Sequence, residues 1–514
     1  MGARAVRVRA RGRAARRYAR RVSAPRCPLR ALALAALLAS GCAPEAPPSV
    51  LLVVADALRA DALSCYGGPA RTPRICELAE RGVLFEQAWA GGPWTAPSAV
   101  ALFTGSHASA FADDPPAAPA RVFHVGDEHE TLAEALAARG YAVAADVDNF
   151  LAHRANALQG LTPLDPRSQG AGGAAAALPP PARDDDRVQR MYASVDFLLS
   201  APAPFFAVRW IFDPHAPYEP PARWLEALAP AAASLPRPLS FYASLGHENA
   251  AARLRRHAKA MAEPERALLR ALYHAEVESV DERVGWLLDA LGRRGLRERT
   301  LVVLTADHGE AFGEHGVWLH GKALYEELLR VPLLVAGPGV AAGRRVAQPV
   351  SLADVAPSLR ELLGLPPGDE QGASFAALLR PGPGAPAGAE RAAYAGSPNG
   401  TAHGVDALRV GALKLIAHAD GRAELYDLGA DSGETRDLAA ERPQDVARLR
   451  ARLEALRAEN EGRRRARLAA RASGDRERVR EETRRELEAL GYVEGGADAA
   501  AAARRAEPAP EEAR

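Results

Sequence analysis

The stretch Thr300-Leu-Val-Val-Leu-Thr-Ala-Asp-His-Gly-Glu310 contains the residues on which the interpretation of the whole chain depends. Residues 301–305 form an unbroken apolar or β-branched run, which is typical of a parallel strand covered on both faces. The run leads to Asp307 and His308, and open α/β sheets bind ligands where such strands end. The stretch therefore predicts a buried strand that delivers candidate metal ligands. Alone, it also fits a strand that merely ends in polar turn residues.

Two other apolar runs end in the same way. Residues 50–54 lead to Asp56, and residues 205–212 lead to Asp213 and His215. The carboxyl ends of parallel strands meet at one edge of a sheet, so we expect these side chains to lie close together. Each run has a simple structural explanation, but together they indicate one site.

The order of helical and strand patterns predicts the fold class. Residues 131–140 have the apolar spacing of a helix, and residues 141–147 read as a strand. A helix with one apolar stripe over 264–295 then precedes the strand at Thr300. This βαβ order predicts an α/β domain over 50–380, in which helices sandwich a large central, mostly parallel sheet. Shorter alternating segments predict a smaller C-terminal antiparallel-sheet α+β domain over 390–460. A charged helical and disordered tail over 461–514 is expected to follow.

Composition and the N-terminus limit the location and the partners. The chain has 514 residues and a net charge of +1, so nothing in its charge balance indicates nucleic acid. Residues 1–42 combine an Arg-rich start, a short apolar stretch and small residues before a Cys, which resembles a bacterial lipoprotein signal peptide. We expect a tether at 43–49 and a bacterial envelope location, lipid-anchored or, after plain cleavage, periplasmic or secreted. Cys65 and Cys76 could pair there or remain two core thiols.

Thr95 lies where the sequence predicts the start of a helix. The segment Pro93-Trp-Thr-Ala-Pro-Ser98 precedes a short apolar run over 99–104. A helix N-terminus has free N–H groups and partial positive charge, so it suits an anion. The alternative is that Thr95 and Ser98 only cap the helix.

In order and local context, these segments resemble the sulfatase family within the alkaline phosphatase superfamily. The matching segments are residues 51–61, 93–98, 102–105, 212–218, 307–310, 324–327, 424–428 and 433–435, within a resemblance that covers most of 49–450. The resemblance implies metal ligands at Asp56, Asp307 and His308, with Asp213 as a further candidate. It implies a nucleophile and ligand at Thr95, groups near the leaving oxygen at His215 and His320, and substrate contacts at Lys322 and Arg209.

The chain departs from the family pattern at the nucleophile. Sulfatases carry Cys or Ser within C/S-x-P-x-R for conversion to formylglycine, whereas residues 95–99 read Thr-Ala-Pro-Ser-Ala. We therefore expect no formylglycine, and Ala99 replaces the Arg. Thr at this position is similar to the nucleotide pyrophosphatase and phosphodiesterase branch. Asp56 is followed by Ala57 where an acidic pair is usual, and the late pair is Asp-His rather than Asp-Asn, which favours Mn²⁺ or Zn²⁺ over Ca²⁺.

The predicted site has an excess of negative charge. One divalent cation with two aspartates and a Thr alkoxide leaves a net charge of about −1 before an anionic substrate binds. Either a second metal bound by Asp213, His215 and His320 or protonation of these histidines together with Lys322 would compensate.

These observations predict a metal-dependent hydrolase of a sulfate or phosphate ester, and Thr95 favours a phosphate diester or phosphonate. Two alternatives stay open: a phosphoryl-group transferase acting on envelope glycans or lipids, and a non-catalytic binding protein. The second alternative arises because Ala99 replaces the family's Arg and Trp210 replaces a common His. The expected partners are an anionic ester, which could be a glycan or a lipid, and a membrane bound through an N-terminal lipid.

Overall fold

The computed structural model describes residues 46–113, 122–164, 186–244, 261–382, 390–396 and 405–471. The predicted signal peptide and residues 472–514 of the predicted tail lie outside the described residues. Within the described part, a large mixed sheet and a separate small antiparallel sheet confirm the predicted fold class.

The central sheet has nine strands among the described residues. Across the sheet they lie in the order β10 (Arg344–Val346), β2 (Gly82–Trp89), β9 (Arg330–Ala336), β6 (Thr300–Ala306), β1 (Ser49–Ala55), β5 (Phe205–Ile211), β3 (Ala142–Val147) and β4 (Thr162–Pro163), and β11 (Val350–Ser351) also pairs with β2. Strand β9 runs antiparallel to both of its neighbours, and the other strand pairs are parallel.

Strands β6, β1 and β5 form the centre of the sheet, and every residue in them is buried. Their unbroken apolar sequences suit a position covered on both faces. Ala55 of β1 lies in register with Ala306 of β6 and with Ile211 of β5. The three chains therefore leave the sheet side by side, and the Asp56 backbone N–H donates to the Ile211 carbonyl at 2.9 Å. This register brings the predicted site residues to one edge.

Helices connect the strands. Their bounds are α1 (Pro73–Glu80), α2 (Thr95–Thr104), α3 (Leu132–Ala137), α4 (Phe150–Arg154), α5 (Asp186–Ser200), α6 (Ala222–Ala232), α7 (Leu239–Ala243), α8 (Glu263–Arg293), α9 (Glu326–Leu329), α10 (Val355–Leu362), α11 (Ala376–Leu379) and α12 (Pro443–Ala470). Helix α8 confirms the long helix that its apolar stripe predicted. All seven stripe residues are buried: Leu269, Tyr273, Val277, Val280, Val284, Leu287 and Leu291.

The small sheet is antiparallel, with strands β12 (Ala392–Gly396), β13 (Asp406–Val410), β14 (Leu413–Ala417) and β15 (Ala423–Asp427) in sequence order. Helix α12 covers it with Leu449 and Leu453, which contact the buried side chains of these strands. No helix among the described residues contains an apolar stretch long enough to cross a bilayer.

A buried ion cluster joins the small sheet to the central one. Lys414 of β14 is fully buried, and its Nζ lies 3.1 Å from Glu326 Oε1 and 2.7 Å from Glu434 Oε1. The same nitrogen lies 4.9 Å from the ring centroid of Trp89, at the end of β2. Arg409 Nη1 also lies 3.4 Å from Glu326 Oε2, so Lys414 and Arg409 together balance the two carboxylates where the two sheets meet.

Replacing Lys414 by Met is expected to lower the free energy of unfolding by about 3 kcal/mol, because buried Glu434 then lacks its cation while Glu326 keeps only Arg409, at 3.4 Å. The matched control is Arg452→Met, which removes the exposed ion pair to Glu390 and should cost less than about 1 kcal/mol. Urea unfolding of both variants measures the difference. Equal losses in the two variants would contradict a stabilising role for the Lys414 cluster.

Candidate metal centre and active site

Three buried ligand atoms converge where β1 and β6 end. Asp56, Asp307 and His308 are fully buried and each offers an atom to a group in which all the atoms lie within 4.8 Å of one another. His308 Nε2 lies 3.6 Å from Asp56 Oδ1 and 3.4 Å from Asp307 Oδ2. None of these three atoms has a hydrogen-bond partner. Buried polar atoms are rarely left unpaired, so this group requires a bound species.

Backbone contacts hold Asp307 and His308 in this arrangement. Asp307 Oδ1 accepts hydrogen bonds from the N–H groups of Ala57 at 3.1 Å and His308 at 2.9 Å. His308 Nδ1 lies 2.8 Å from the Gly309 carbonyl oxygen, so it donates there and leaves the Nε2 lone pair facing the carboxylates. Gly309 is tightly enclosed, because a Cβ at this position would collide with the carbonyl oxygen of Glu327.

Asp56 is held through its other carboxylate oxygen. Its Oδ2 accepts from Asn149 Nδ2 at 2.5 Å and from Trp210 Nε1 at 3.1 Å. Asn149 Nδ2 also donates to Thr95 Oγ1 at 3.0 Å, so one amide group links the carboxylate to the predicted nucleophile. The orientation of this amide is fixed, because Asn149 Oδ1 accepts the Leu151 N–H at 2.8 Å at the start of α4.

Electrostatics in the group indicate a cation. Burial raises the pKa of Asp56 well above its ordinary value, and the neighbouring Asp307 carboxylate raises it further. Burial lowers the pKa of His308, but Asp307 and Asp56 raise it more, so its net shift is upward. Two carboxylates and an imidazole form a common ligand set for Zn²⁺ or Mn²⁺. The separations of 3.4 and 3.6 Å between these atoms would let Asp56, Asp307 and His308 share one divalent ion, which would supply positive charge between the carboxylates.

Thr95 begins α2, as the sequence predicted. Its side chain is buried, and Trp94 occupies the capping position without a side-chain hydrogen bond. Ser98 bonds to the preceding loop instead, since its Oγ donates to the Gly92 carbonyl at 3.0 Å. Neither Thr95 nor Ser98 therefore acts as the helix cap. The Thr95 hydroxyl lies at the helix N-terminus and shares Asn149 with Asp56.

Asp213 is a candidate ligand of a second metal in the sequence, but the structure pairs it with an arginine. It is buried and forms an ion pair with Arg283 of α8, whose Nη2 also donates to Ser279 Oγ at 3.2 Å. Arg283 neutralises the Asp213 carboxylate, which the sequence offered as a ligand for a second metal. Among the residues that the structure describes, Asp56, Asp307 and His308 are the group with metal-ligating geometry.

The two predicted histidines lie beside this centre. The His320 ring centroid is 4.4 Å from that of His308 and 4.7 Å from that of His215. His215 Nδ1 lies 2.6 Å from the Ala216 carbonyl oxygen, and burial lowers its pKa. Lys322 follows in the same segment and is half-buried, so its substrate contact stays a prediction.

The sequence predicts that Arg209 contacts the substrate, but the structure places it in a buried ion cluster. It is only 1% exposed, and its guanidinium pairs with Asp146 at 3.2 Å and with Asp148 at 2.8 Å. Its Nε also contacts Met191 Sδ at 3.3 Å. The Arg209 donors are thus engaged in a buried cluster beside β3, and the residue has a structural position.

Comparisons with known proteins identify the family. The family model described as Sulfatase matches residues 48–365. The chain belongs to the sulfatase family. A second model, described as the C-terminal region of N-sulphoglucosamine sulphohydrolase, matches residues 313–459. The resemblance read from the sequence is therefore confirmed.

Curated relatives include arylsulfatase K of Mus musculus, 32% identical over 254 residues that cover 45% of this chain and 44% of the relative. Another is the uncharacterized sulfatase YidJ of Escherichia coli, which is 28% identical over 353 residues that cover 61% of this chain and 67% of the relative. The chain spans less than half the length of the first of these relatives.

Solved structures show the same fold. The phosphonate monoester hydrolase of Agrobacterium radiobacter is 22% identical, with a TM-score of 0.62 over 80% of this chain and 96% of that one. A putative sulfatase from Bacteroides thetaiotaomicron is 22% identical, with a TM-score of 0.65 over 82% of this chain and 94% of that one.

His315 connects the loop after the metal-centre residues to the segment that follows the small sheet. Its Nδ1 lies 2.9 Å from Glu327 Oε1, its Nε2 lies 3.2 Å from the Glu434 carbonyl oxygen, and its ring stacks on Tyr325 at 3.8 Å. The hydrogen bond to Glu327 is the main reason that the pKa of His315 rises from 6.5 to about 9.

Metal binding is expected to raise the melting temperature, with a gain in stability of about 2.7 kcal/mol when free metal is 100-fold above its dissociation constant. Elemental analysis should find one equivalent of Zn²⁺ or Mn²⁺ in the wild type and in Asp213→Asn. Asp307→Asn and His308→Ala should lose both the metal and the melting shift. Two equivalents in the wild type, falling to one in Asp213→Asn, would contradict a single-ion site.

Stability should fall as pH rises from 6.5 to 9, because folded His315 with its raised pKa keeps a proton that the unfolded chain releases. The effect should be no more than about 1 kcal/mol, since solvent reaches the His315 side chain, which is 18% exposed, and partly screens the pair. His315→Gln retains a hydrogen-bonding side chain without titration. Urea unfolding across this range should show a smaller slope for the variant, and equal slopes would exclude His315 as the cause.

Proposed function

We propose that the protein is a single-metal hydrolase that uses Thr95 as nucleophile on a singly charged phosphate diester or phosphonate monoester. The observation that carries this proposal is the Asn149 bridge, which holds the Thr95 hydroxyl against a carboxylate of the metal group. When bound, the divalent metal would offset negative charge on the reacting group and favour ionisation of a nearby hydroxyl.

The proposed reaction has two steps, attack by Thr95 on phosphorus and release of the product from Thr95 by water. Thr95 Oγ gives up its proton to solvent and attacks phosphorus, and the leaving oxygen departs with the bonding pair and gains a proton. Water then attacks phosphorus, the bond to Thr95 Oγ breaks, and Oγ regains a proton. The helix N-terminus at Thr95 directs N–H groups toward the anion. We infer that His320 or His215, whose rings lie beside that of His308, protonates the leaving oxygen, a contribution of about 10²- to 10⁴-fold.

Charge supports a monoanionic substrate. Asp56 and Asp307 neutralise one divalent ion, and buried Ala99 stands where other sulfatases carry Arg. The site therefore has less positive charge than a dianionic phosphate monoester needs, whereas a diester or phosphonate monoester carries one negative charge. A sulfate ester has the same charge, but Thr95 cannot become formylglycine. Among the solved relatives, one with the same fold is a phosphonate monoester hydrolase, which agrees with this preference.

A second candidate function is transfer of the phosphoryl group from Thr95 to an acceptor alcohol instead of water. The covalent step on Thr95 would be shared, so the acceptor decides between the two. On the sequence of residues 1–42, we also infer that the enzyme is exported and acts at the bacterial envelope, where glycans and lipids offer such esters and alcohols.

Thr95→Ala should abolish hydrolysis of bis-p-nitrophenyl phosphate and of p-nitrophenyl phenylphosphonate, with at least about 10³-fold loss because the nucleophile is missing. The matched control is Thr104→Ala, which removes a buried hydroxyl that donates to the Val100 carbonyl at 2.7 Å in the same helix and should retain activity. Intact-protein mass spectrometry after acid quench should detect a p-nitrophenyl-phosphoryl adduct on Thr95 with the first substrate and a phenylphosphonyl adduct with the second. Turnover of p-nitrophenyl sulfate that survives Thr95→Ala would contradict the mechanism.

A further inference from the structure

Glu310 and Tyr218 belong to the two segments that supply His308 and His215, and the reaction proposed above uses neither residue. Glu310 is fully buried, and both of its carboxylate oxygens are engaged. Oε1 lies 3.0 Å from His320 Nδ1, and Oε2 accepts the Tyr218 hydroxyl at 3.1 Å. The carboxylate therefore links the loop after β5 to the turn that carries His320.

The backbone at His320 bends sharply on both sides. Leu319 has a φ of 62° and Gly321 a φ of 91°, both in the left-handed region. A branched residue such as leucine rarely adopts that conformation unless its surroundings enforce it. The turn thus projects the His320 side chain out of the short hairpin of β7 (Ala311–Phe312) and β8 (Trp318–Leu319). A turn of this kind sets the position of the ring but not its rotation.

The Glu310 main chain is also anchored. Its carbonyl oxygen accepts from Arg59 Nη1 at 2.9 Å, and the same guanidinium nitrogen donates to Glu314 Oε1 at 2.8 Å. Because the main chain and both carboxylate oxygens of Glu310 are fixed, its hydrogen bond to Nδ1 can determine the rotation and the tautomer of the His320 ring.

We propose that Glu310 is a positioning residue that orients the His320 imidazole toward the leaving-group oxygen, and that Tyr218 holds Glu310 in place. This inference rests on the proposed function. As the bond from phosphorus to the leaving oxygen breaks, that oxygen keeps the bonding pair and takes a proton from His320 Nε2. The Nδ1 proton remains in its hydrogen bond to Glu310. His308 turns its own ring toward Asp56 and Asp307, so the two neighbouring imidazoles serve different partners.

The test compares Glu310→Gln with wild type on two diesters of one phosphate framework. One carries p-nitrophenol, which leaves without needing a proton, and the other carries a simple alkyl alcohol, which needs one. We expect kcat for the alkyl ester to fall about 10²-fold or more. The p-nitrophenyl ester should lose no more than about threefold, a split that general destabilisation would not produce. Metal content should stay at one equivalent in both proteins.

Tyr218→Phe should show the same selectivity with a smaller loss, about tenfold for the alkyl ester, because one hydrogen bond to the carboxylate is lost. The matched control is Tyr242→Phe, which removes a similar buried bond from Tyr242 to Glu265 Oε1 at 2.8 Å, between α7 and α8. The control should affect the two esters equally.

Histidine NMR provides a readout that does not depend on turnover. With ¹⁵N-labelled histidine, the signals that disappear in His320→Asn identify this ring, and in wild type they should show a proton on Nδ1. Glu310→Gln should change the tautomer pattern of those signals. Unchanged His320 signals, equal loss on the two esters or loss of metal would each overturn the proposal. A wild type that cleaves none of the esters would refute the proposed hydrolase, and the NMR comparison would still decide whether Glu310 fixes the His320 ring.

Discussion

Two fully buried carboxylates held side by side are the constraint on which the rest of this structure depends. Strands β1 and β6 run parallel and in register, so Asp56 and Asp307 leave the sheet together and repel each other at full burial. Each carboxylate uses one oxygen in hydrogen bonds to the protein and leaves the other facing His308 Nε2. A divalent cation would satisfy this group, and the neighbouring strand ends, the helix at Thr95 and the Asn149 bridge lie around it.

Trp210 shows how the chain holds this group where relatives of the family commonly have His. Its indole N–H can only donate, and it donates to Asp56 Oδ2 at 3.1 Å. The replacement therefore keeps a hydrogen bond to the metal-facing carboxylate but removes a group that could exchange protons. Trp210 and Asn149 together keep Asp56 in place.

The sequence was sufficient for the sheet, the long helix α8 and the metal group, because continuous apolar runs that end in carboxylates are local signals. It did not reveal Asn149, although this residue follows strand β3 toward the same edge, because its function depends on contacts with two residues distant in sequence. The Arg283 partner of Asp213 and the Asp146 and Asp148 partners of Arg209 were missed for the same reason. A charged side chain read from sequence does not show which partner has already neutralised it.

The tight enclosure of Gly309 has a consequence for how relatives of this protein can diverge. Its N–H donates to the Leu328 carbonyl at 2.8 Å, and no side chain fits against Glu327. Any larger residue would push the backbone of His308 away from the two aspartates. Descendant enzymes can thus exchange the groups that recognise a substrate, but this single position admits one amino acid for as long as the ion is needed.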